Sequence, residues 1–373
     1  MRAAKGEYME RLAGLISTNY NNKKFGKLTA HRPIAAIPFG SRYRMIDFPL
    51  SNMINSGITN VGIITPHLYR SIMDHLGSGK DFGLSRKNGG LFILPGTTYG
   101  YDLGVGKFSI RDCYGNMQFF ERIKADRLVL STCSKIYNID FRDVDEYHMQ
   151  KDANITFVYQ KDATGDAGDI VFDFNDKGKL KGIRRLKKRE KNINLYLDGT
   201  IIEKNVMIKI LDWYKDNSYI DVMDAIAENL DRFSIATYEF KGFARAISSI
   251  EDYISVSMEL LDDKVMRELF TGDRLIHTKI HDAQPVKYFE TAKVSNALVG
   301  TGSLIKGQIE NSVIFRDVVI EEGAKIKNSV IMQRCKIGKK AVIENCICEK
   351  AVVIDEGEVH KGTEKKPVVL TKD

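Results

Sequence analysis

The sequence has few cysteines, and they are not arranged as metal ligands. Five cysteines are scattered along 373 residues, an odd number without the spacing of a zinc site or the density of a disulfide-stapled domain. The N-terminal stretch lacks the apolar core of a secretory signal. No apolar run approaches the ~20 residues that cross a bilayer. We therefore expect reduced cysteines, a cytoplasmic protein and no membrane partner.

The chain also lacks an arginine-rich arm or a basic stripe interleaved with aromatic residues, so nothing indicates a nucleic-acid partner. The net charge of +7 is moderate, and it suits phosphorylated ligands as well as plain solubility. Hydrophobic and charged contents of 43% and 28% are typical of globular proteins. A chain of 373 residues is too long for one ordinary core, which predicts two domains.

Short apolar runs alternate with helical segments in the first two thirds of the chain. Residues 13–17, 61–65 and 127–131 have the composition of buried strands. Strands that alternate with helices indicate an α/β domain. Within it we predict a helix that starts with Ser51 and Asn52 as its N-terminal cap.

The last part of the chain has an internal repeat. Beyond about residue 296, apolar residues recur every six positions within three sets: Ile314, Ile320 and Ile326, then Ile331, Ile337 and Ile343, then Ile347, Val353 and Val359. Three hexapeptides make one triangular coil, so the pattern predicts a left-handed parallel β-helix. The predicted division is an α/β domain at 1–262, a linker at 263–295 and the β-helix at 296–373.

Residues 38–58, PFGSRYRMIDFPLSNMINSGI, carry a resemblance. The segment resembles the hallmark of the bacterial glucose-1-phosphate adenylyltransferases (ADP-glucose pyrophosphorylases), and the likeness extends over nearly the whole chain. It implies a nucleotidyltransferase-type, Rossmann-like mixed sheet domain followed by a C-terminal left-handed β-helix. The implied reaction converts ATP and glucose 1-phosphate to ADP-glucose and pyrophosphate in glycogen biosynthesis.

The phosphate-binding loop of that family is not retained. The family carries a Gly-Gly-x-Gly-x-Arg-Leu pattern, and this chain reads NYNNKKF at residues 19–25. The remnant of the nucleotide loop is Asn19, Tyr20, Asn22 and Lys24, of which Lys24 keeps a positive charge at the arginine position. Side chains in place of glycines should block the close approach of a phosphate.

Both aspartates that hold Mg²⁺ in the resembling enzymes are replaced, one by Ser134 and the other by Ala246. A hydroxyl is a poor Mg²⁺ ligand beside a carboxylate. We therefore predict no catalytic residue, metal site or cofactor in this chain, and expect Mg²⁺ only in a catalytic partner. Asp140 and Asp143 are either substitute metal ligands or solvated or capping residues, and we favour the second interpretation.

Arginines near the hallmark segment are candidates for an anion site. Arg32, Arg42 and Arg44, together with Lys135, would suit a phosphorylated effector. The alternative is a purely structural role for Arg42 and Arg44 beside Asp47, and the residues alone do not separate the two.

A second basic region, residues 177–191, aligns with the sugar-phosphate motif of the family, although its Glu-Lys-Pro is absent. Arg185 and Lys187 are the candidate sugar-phosphate residues. The alternative of a solvated strand and loop is the one we favour.

These departures predict a regulatory subunit, catalytically weak or inactive, that pairs with a catalytic subunit in a heterotetramer; homo-oligomers without that partner stay open. The main alternative is a nucleotidyltransferase that is active alone. A distant one is a hexapeptide-repeat acyltransferase, for which His360 would be the histidine in the repeat region.

Overall fold

The computed structural model describes residues 11–20, 23–66, 68–87, 89–97, 106–217 and 220–372. The strands of the first domain are β1 (Leu12–Ser17), β2 (Pro38–Phe39), β3 (Tyr43–Arg44), β4 (Asn60–Thr65), β5 (Gly90–Pro95), β6 (Arg127–Thr132), β7 (Lys135–Tyr137), β8 (Ile155–Gly165), β9 (Ile170–Phe174), β10 (Leu180–Arg185), β11 (Glu190–Glu203), β12 (Ile235–Glu239) and β13 (Ala244–Ala246). The α-helices are α1 (Asp47–Asn55), α2 (Arg70–Leu76), α3 (Ile110–Gly115), α4 (Met117–Arg122), α5 (Phe141–Gln150), α6 (Lys204–Trp213), α7 (Val222–Ala227), α8 (Ile250–Glu259) and α9 (Asp263–Phe270). Short 3₁₀ segments span Lys23–Thr29, Ile34–Ala36, Lys80–Phe82 and Leu230–Arg232.

A mixed nine-stranded sheet forms the centre of the first domain. Its main path has the order β10-β9-β11-β6-β1-β4-β5, and β8 and β12 extend it from β11. Strands β6, β1, β4 and β5 run parallel, whereas β11 is antiparallel to β6. The predicted runs 13–17, 61–65 and 127–131 correspond to β1, β4 and β6. Strands β1, β4 and β6 are almost entirely buried, whereas the edge strand β5 is partly exposed.

Helix α1 starts earlier than the sequence pattern suggested. It begins at Asp47, so Ser51 and Asn52 lie inside the helix and the predicted cap was wrong. Pro49 is tolerated because it lies in the first turn, where backbone N–H groups have no partner within the helix. Asn52 donates from Nδ2 to the carbonyl of Tyr137, 3.1 Å away, and so ties the helix to β7.

The second domain is the predicted left-handed parallel β-helix. Its strands are β14 (Lys287–Tyr288), β15 (Lys293–Val299), β16 (Leu304–Ile305), β17 (Gln308–Ile314), β18 (Val319–Ile320), β19 (Lys325–Lys327), β20 (Val330–Ile331), β21 (Lys336–Ile337), β22 (Val342–Glu344), β23 (Cys346–Cys348), β24 (Val353–Ile354), β25 (Val359–Lys361) and β26 (Val368–Leu370). All their pairings are parallel. The ladder begins at β14, within the range assigned to the linker.

The first two coils have the predicted inward residues, but the third does not. Val313 pairs with Val330 and Val330 with Ile347, so each of these coils spans 17 residues. The predicted set that starts at Ile331 lies 17 residues after the set at Ile314, but the set that starts at Ile347 lies only 16 residues after Ile331. The third set is therefore one position out of register, and alternation along a strand reverses the face of each of its side chains. Val353 and Val359 are 61% and 59% exposed, and Ile354 points inward at 4%. The assignment of Val353 and Val359 to the core was wrong.

The β-helix packs against the α/β domain through one row of apolar side chains. Val313, Val330 and Ile347 stack on successive coils and join the core cluster that contains β1 and α1, with Phe315 and Met332 beside them. The β-helix has its own interior, which Ile314, Ile331 and Cys348 help to fill. Within the described ranges, no helix is long and apolar enough to cross a membrane.

Candidate functional site

A cleft of about 440 Å³ opens at the carboxyl ends of β1 and β6. Parallel α/β sheets place ligands at this edge, because strands end there and loops diverge. Tyr20, Lys24, Lys107 and Ser134 are among its lining residues. A larger cavity of about 900 Å³ lies beside edge strand β5, away from the residues that follow β6. Ser134, at one of the two lost metal positions, lines the smaller cleft.

A bulge in β11 places a carboxylate under the cleft. Strand β11 pairs Thr200 with Leu130 of β6, and its register with β8 shifts between Tyr196 and Gly199. Asp198 lies in this bulge with φ of 56°, a left-handed conformation that aspartate tolerates better than most side chains. The bulge turns Asp198 toward the end of β6. Its side chain is only 5% exposed.

The ammonium of Lys107 lies between Asp198 and the position of the lost metal aspartate. Its Nζ atom donates to Asp198 Oδ2 at 2.5 Å and to Ser134 Oγ at 2.7 Å. Ser134 and Thr132 also donate to Asp198 Oδ2, at 2.9 and 2.7 Å. One carboxylate oxygen, Oδ2, thus accepts hydrogen bonds from one ammonium and two hydroxyls of the chain itself.

Burial and charge act in opposite directions in this network. Burial favours the protonated form of Asp198, but the ammoniums of Lys107 and Lys135 outweigh it and hold the pKa of Asp198 below its usual value. Burial lowers the pKa of Lys107, and Asp198 offsets only part of that effect. The pair is therefore held together by charges that would each be costly to bury alone.

A second ammonium–carboxylate pair lies next to the first. Lys135 Nζ donates to Asp169 Oδ1 at 2.5 Å, and the two side chains are 1% and 3% exposed. Burial opposes the charge on Lys135, yet Asp169 and Asp198 raise its pKa above the usual value. Lys135 was predicted to hold an external anion. That prediction was wrong, because the ammonium is sealed against Asp169.

The two degenerate metal positions are neighbours in space. Ala246 of β13 pairs with Lys135 of β7, and the N–H of Ile247 donates to the carbonyl of Ser134 at 2.8 Å. Across the described ranges, no group of three histidine, cysteine, aspartate or glutamate side chains is arranged to hold a metal. Ser134 supplies a hydroxyl, Ala246 a methyl group and Lys107 an ammonium, whereas a Mg²⁺ site would need carboxylates at these positions. The residues present therefore do not fit Mg²⁺.

The remnant of the phosphate loop is occupied by internal contacts. Asn19 donates from Nδ2 to Asp112 Oδ2 and to the carbonyl of Thr97, both at 2.7 Å. The Tyr20 hydroxyl accepts from the N–H of Cys133 at 3.1 Å, and burial raises its pKa well above the usual value. Asn22 lies outside the described residues.

Lys24 lines the cleft, and its side chain bridges the cleft to Ala167. Its Nζ atom donates to the carbonyl of Ala167 at 2.7 Å. The contact links the 3₁₀ segment Lys23–Thr29 to the turn that precedes β9. The side chain at the former arginine position therefore acts as a strap between two walls of the cleft.

The candidate sugar-phosphate residues separate in the structure. Arg185 lines the cleft, but its guanidinium forms two 3.0 Å hydrogen bonds with the carboxylate of Asp224 and lies 3.5 Å from Asp221. Lys187 is exposed and does not line the cleft. Asp140 caps helix α5 through the N–H of Arg142, at 2.9 Å, as the favoured interpretation had it.

Arg32 and Arg44 meet the β-helix. Arg32 Nε donates to the carbonyl of Leu28 at 3.1 Å, and its Nη2 forms an ion pair with Glu349. Arg44 donates from Nη1 to the carbonyl of Ser71 at 2.5 Å. Arg42 is exposed and lies over the ring of Tyr43, 5.4 Å from its centre. Arg42 thus makes a local contact while the other two arginines face the second domain.

One corner of the β-helix adds further cations to this interface. The N–H of Arg334 donates to the carbonyl of Arg316, so these residues belong to consecutive coils, and Lys350 follows Glu349 on the next. Burial lowers the pKa of Lys350, and the charges of Arg334, Arg44, Arg32 and Arg316 lower it further. Burial likewise lowers the pKa of Arg44, to about 10, with Arg32 and Arg316 contributing. We call Arg32, Arg44, Arg316, Arg334 and Lys350 the interdomain cation cluster.

The fold and the site together define a nucleotidyltransferase-type α/β domain joined to a hexapeptide-repeat β-helix. Family models agree: residues 22–179 match Nucleotidyl transferase, and residues 283–366 match GlmU-like, C-terminal hexapeptide. The glycogen biosynthesis protein GlgD of Bacillus subtilis is 31% identical over 98% of this chain and 97% of its own length. GlgD of Geobacillus stearothermophilus is 34% identical over 85% of this chain and 83% of its own. The glucose-1-phosphate adenylyltransferase of Bacillus cytotoxicus is 29% identical over 94% of both chains. The chain belongs to the glucose-1-phosphate adenylyltransferase family and is of the GlgD type.

Sequence reasoning missed Lys107, which lines the cleft, and Asp198, which lies beneath it and pairs with Lys107. A signal for Asp198 was present, because it interrupts an apolar run, LYLDGTII, that reads as a buried strand. A lone carboxylate in such a strand requires a buried partner. Nothing in the sequence near Lys107 identifies it as that partner.

Proposed function

We propose that this chain is a regulatory, catalytically weak or inactive subunit of glucose-1-phosphate adenylyltransferase in glycogen biosynthesis. Its partner is a catalytic subunit that converts ATP and glucose 1-phosphate to ADP-glucose and pyrophosphate, and the assembly is a heterotetramer. Mg²⁺ acts in the catalytic partner only. The GlgD and adenylyltransferase relatives support a role in glycogen biosynthesis. The residues in the cleft of this chain support the loss of catalytic activity.

The Lys107 ammonium, bonded to Ser134 and Asp198, is the observation that carries this proposal. Transfer of a nucleotidyl group builds negative charge on phosphate oxygens, and Mg²⁺ held by carboxylates stabilises that charge. An ammonium that is already paired with a buried carboxylate cannot stabilise the negative charge on the phosphate oxygens as Mg²⁺ does. Loss of such charge stabilisation costs several kcal/mol of barrier, which is a loss of ~10³-fold or more in rate.

Activity measurements on the purified chain test the proposal. With ATP, glucose 1-phosphate and Mg²⁺, the chain alone should form ADP-glucose at a rate indistinguishable from background. Mixed with the catalytic subunit of the same organism, it should raise the rate or change the apparent substrate affinity. The control is the same mixture with a catalytic subunit whose own metal ligands have been removed. Robust turnover by the chain alone would refute the proposal.

The regulatory role includes a phosphorylated metabolite as effector, bound at the interdomain cation cluster. Cations from both domains meet there, and guanidinium groups match the geometry of phosphate oxygens. In the described parts of the chain, Arg334 and Lys350 form no ion pair with a carboxylate, so their charge is open to an external anion. Isothermal titration with a sugar phosphate should show binding that Arg44→Gln weakens. No heat of binding at millimolar ligand would refute the effector role for the chain alone.

A further inference from the structure

The acidic side chain of Glu349 lies at the interdomain cation cluster. This side chain is 17% exposed and pairs with Arg32, which is 14% exposed. The backbone of Glu349 is fixed on both sides, because its N–H donates to Leu370 at 2.8 Å and its carbonyl accepts from Val352 at 3.3 Å. The carboxylate is thus presented to Arg32 by a rigid coil.

An ordinary interdomain salt bridge would need one cation for one carboxylate. Here Arg44, Arg316, Arg334 and Lys350 belong to the same cluster; burial lowers the pKa values of Arg44, Arg316 and Lys350, and the like charges lower them further. Holding like charges together is costly unless an anion offsets them. Other carboxylates lie nearby: Asp47 and Asp74 act to raise the pKa of Arg44, and Asp317 Oδ2 is 4.0 Å from Arg316 Nε. With Glu349 these are four carboxylates against the five cations of the cluster, so positive charge remains in excess.

We propose that Glu349 is a built-in competitor for the effector anion: its carboxylate occupies Arg32 in the free protein and must give up that ion pair when a phosphate group binds. This inference rests on the proposed effector role of the cluster. An incoming dianion offers more oxygens and more charge than one carboxylate, so it can displace Glu349 at the cost of breaking one ion pair. The intrinsic affinity of the cluster is then higher than the affinity measured.

The displacement also reaches the cleft. Arg32 Nε holds the carbonyl of Leu28, at the end of the segment Lys23–Thr29 that lines the cleft and carries the Lys24 strap. The same guanidinium therefore contacts Glu349 through Nη2 and the cleft segment through Nε. An anion that binds Arg32 in place of Glu349 would bind a side chain that also holds one wall of the cleft.

Titration of the full chain with inorganic pyrophosphate, at fixed ionic strength and without divalent cations, tests the inference. Glu349→Gln keeps the size and the backbone of the residue but removes the competing charge. It should lower the dissociation constant for pyrophosphate about fivefold or more. Glu322→Gln is the matched control, because Glu322 is an exposed carboxylate elsewhere on the β-helix without an ion pair among the described residues. It should leave the dissociation constant unchanged.

A second substitution localises the effect. Adding Arg334→Gln to Glu349→Gln should cancel the gain in affinity, because it removes a cation from the same corner. A gain of equal size in Glu322→Gln, or a gain that survives Arg334→Gln, would overturn the inference. If the wild-type chain binds pyrophosphate and Glu349→Gln binds it equally well, the competitor role fails while the effector role stands. If neither protein binds at millimolar pyrophosphate, both fail.

Discussion

Replacing Ser134 by aspartate alone should not create a metal site, because the Lys107 ammonium is already there. The distance from Lys107 Nζ to Ser134 Oγ is 2.7 Å, so a new carboxylate at position 134 would pair with this ammonium. At a separation of about 4 Å and an effective dielectric constant of about 20, such a pair is worth about 4 kcal/mol. A divalent cation would have to displace it, at a cost of about a thousandfold in apparent affinity.

Removing the ammonium as well should reverse this result. In Ser134→Asp with Lys107→Met, the new carboxylate lies beside Asp198, whose Oδ2 is 2.9 Å from the present Ser134 Oγ. Two close carboxylates that have lost their directly bonded ammonium repel each other and favour a divalent cation, although the more distant Lys135 still acts on Asp198. We expect this double variant to bind Mn²⁺ at least a hundredfold more tightly than Ser134→Asp alone. Lys107→Met alone provides one carboxylate and should bind weakly.

Electron paramagnetic resonance of free Mn²⁺, titrated with each variant, measures the dissociation constants directly. Because Lys107→Met leaves Asp198 without its counter-ion, we expect a loss of stability of about 3–5 kcal/mol without metal. Thermal unfolding with and without Mn²⁺ should show that metal recovers part of that loss in the double variant only. Equal Mn²⁺ affinity in Ser134→Asp and in the double variant would refute the reasoning.

Metal binding should still not restore turnover. Ser134→Asp combined with Ala246→Asp supplies both aspartates of the resembling enzymes, but the side chains of the former glycine loop and the Lys24 strap to Ala167 stay in place. We therefore expect no ADP-glucose above background from that variant. A rate close to that of the catalytic subunit would show that the loop does not matter.

Three further results are expected from buried groups. Burial raises the pKa of Asp221 to about 6 in the folded protein, whereas the unfolded value is near 4. The carboxyl therefore loses its proton less readily in the folded state. As the pH rises from 4 to 6, the free energy of unfolding should fall by up to about 3 kcal/mol. The free energy of unfolding of Asp221→Asn, measured by urea titration across that range, should lack this decline, and equal slopes in both proteins would contradict the assignment. Ile354→Ala should cost about 2–5 kcal/mol and Val353→Ala less than 1 kcal/mol, whereas the reverse order would contradict the coil register. Lys135→Met should cost about 3–5 kcal/mol by leaving Asp169 unpaired, and adding Asp169→Asn should recover much of it; equal losses in the two proteins would show that the pair is not the cause.

Local patterns determined much of the architecture from the sequence alone. Apolar runs such as 61–65 became buried parallel strands, and the six-residue repeat became a β-helix, because both signals arise from residues close in the chain. The loss of the metal carboxylates at Ser134 and Ala246 could also be recognised from the sequence, because recognising it requires only the identity of the residue at each matched position. These features depend on side-chain chemistry and short-range periodicity.

What filled those positions depended on the tertiary structure. Lys107, Ser134 and Asp198 lie far apart in the chain and meet only because β6 and β11 are antiparallel and a bulge turns Asp198 inward. Val353 lies at the surface because each coil takes its register from the one before it, and Ile354, not Val353, pairs with the inward Ile337. The interdomain cation cluster likewise exists only where two domains pack. Contacts between distant segments are set by strand order and packing, and no local pattern records them.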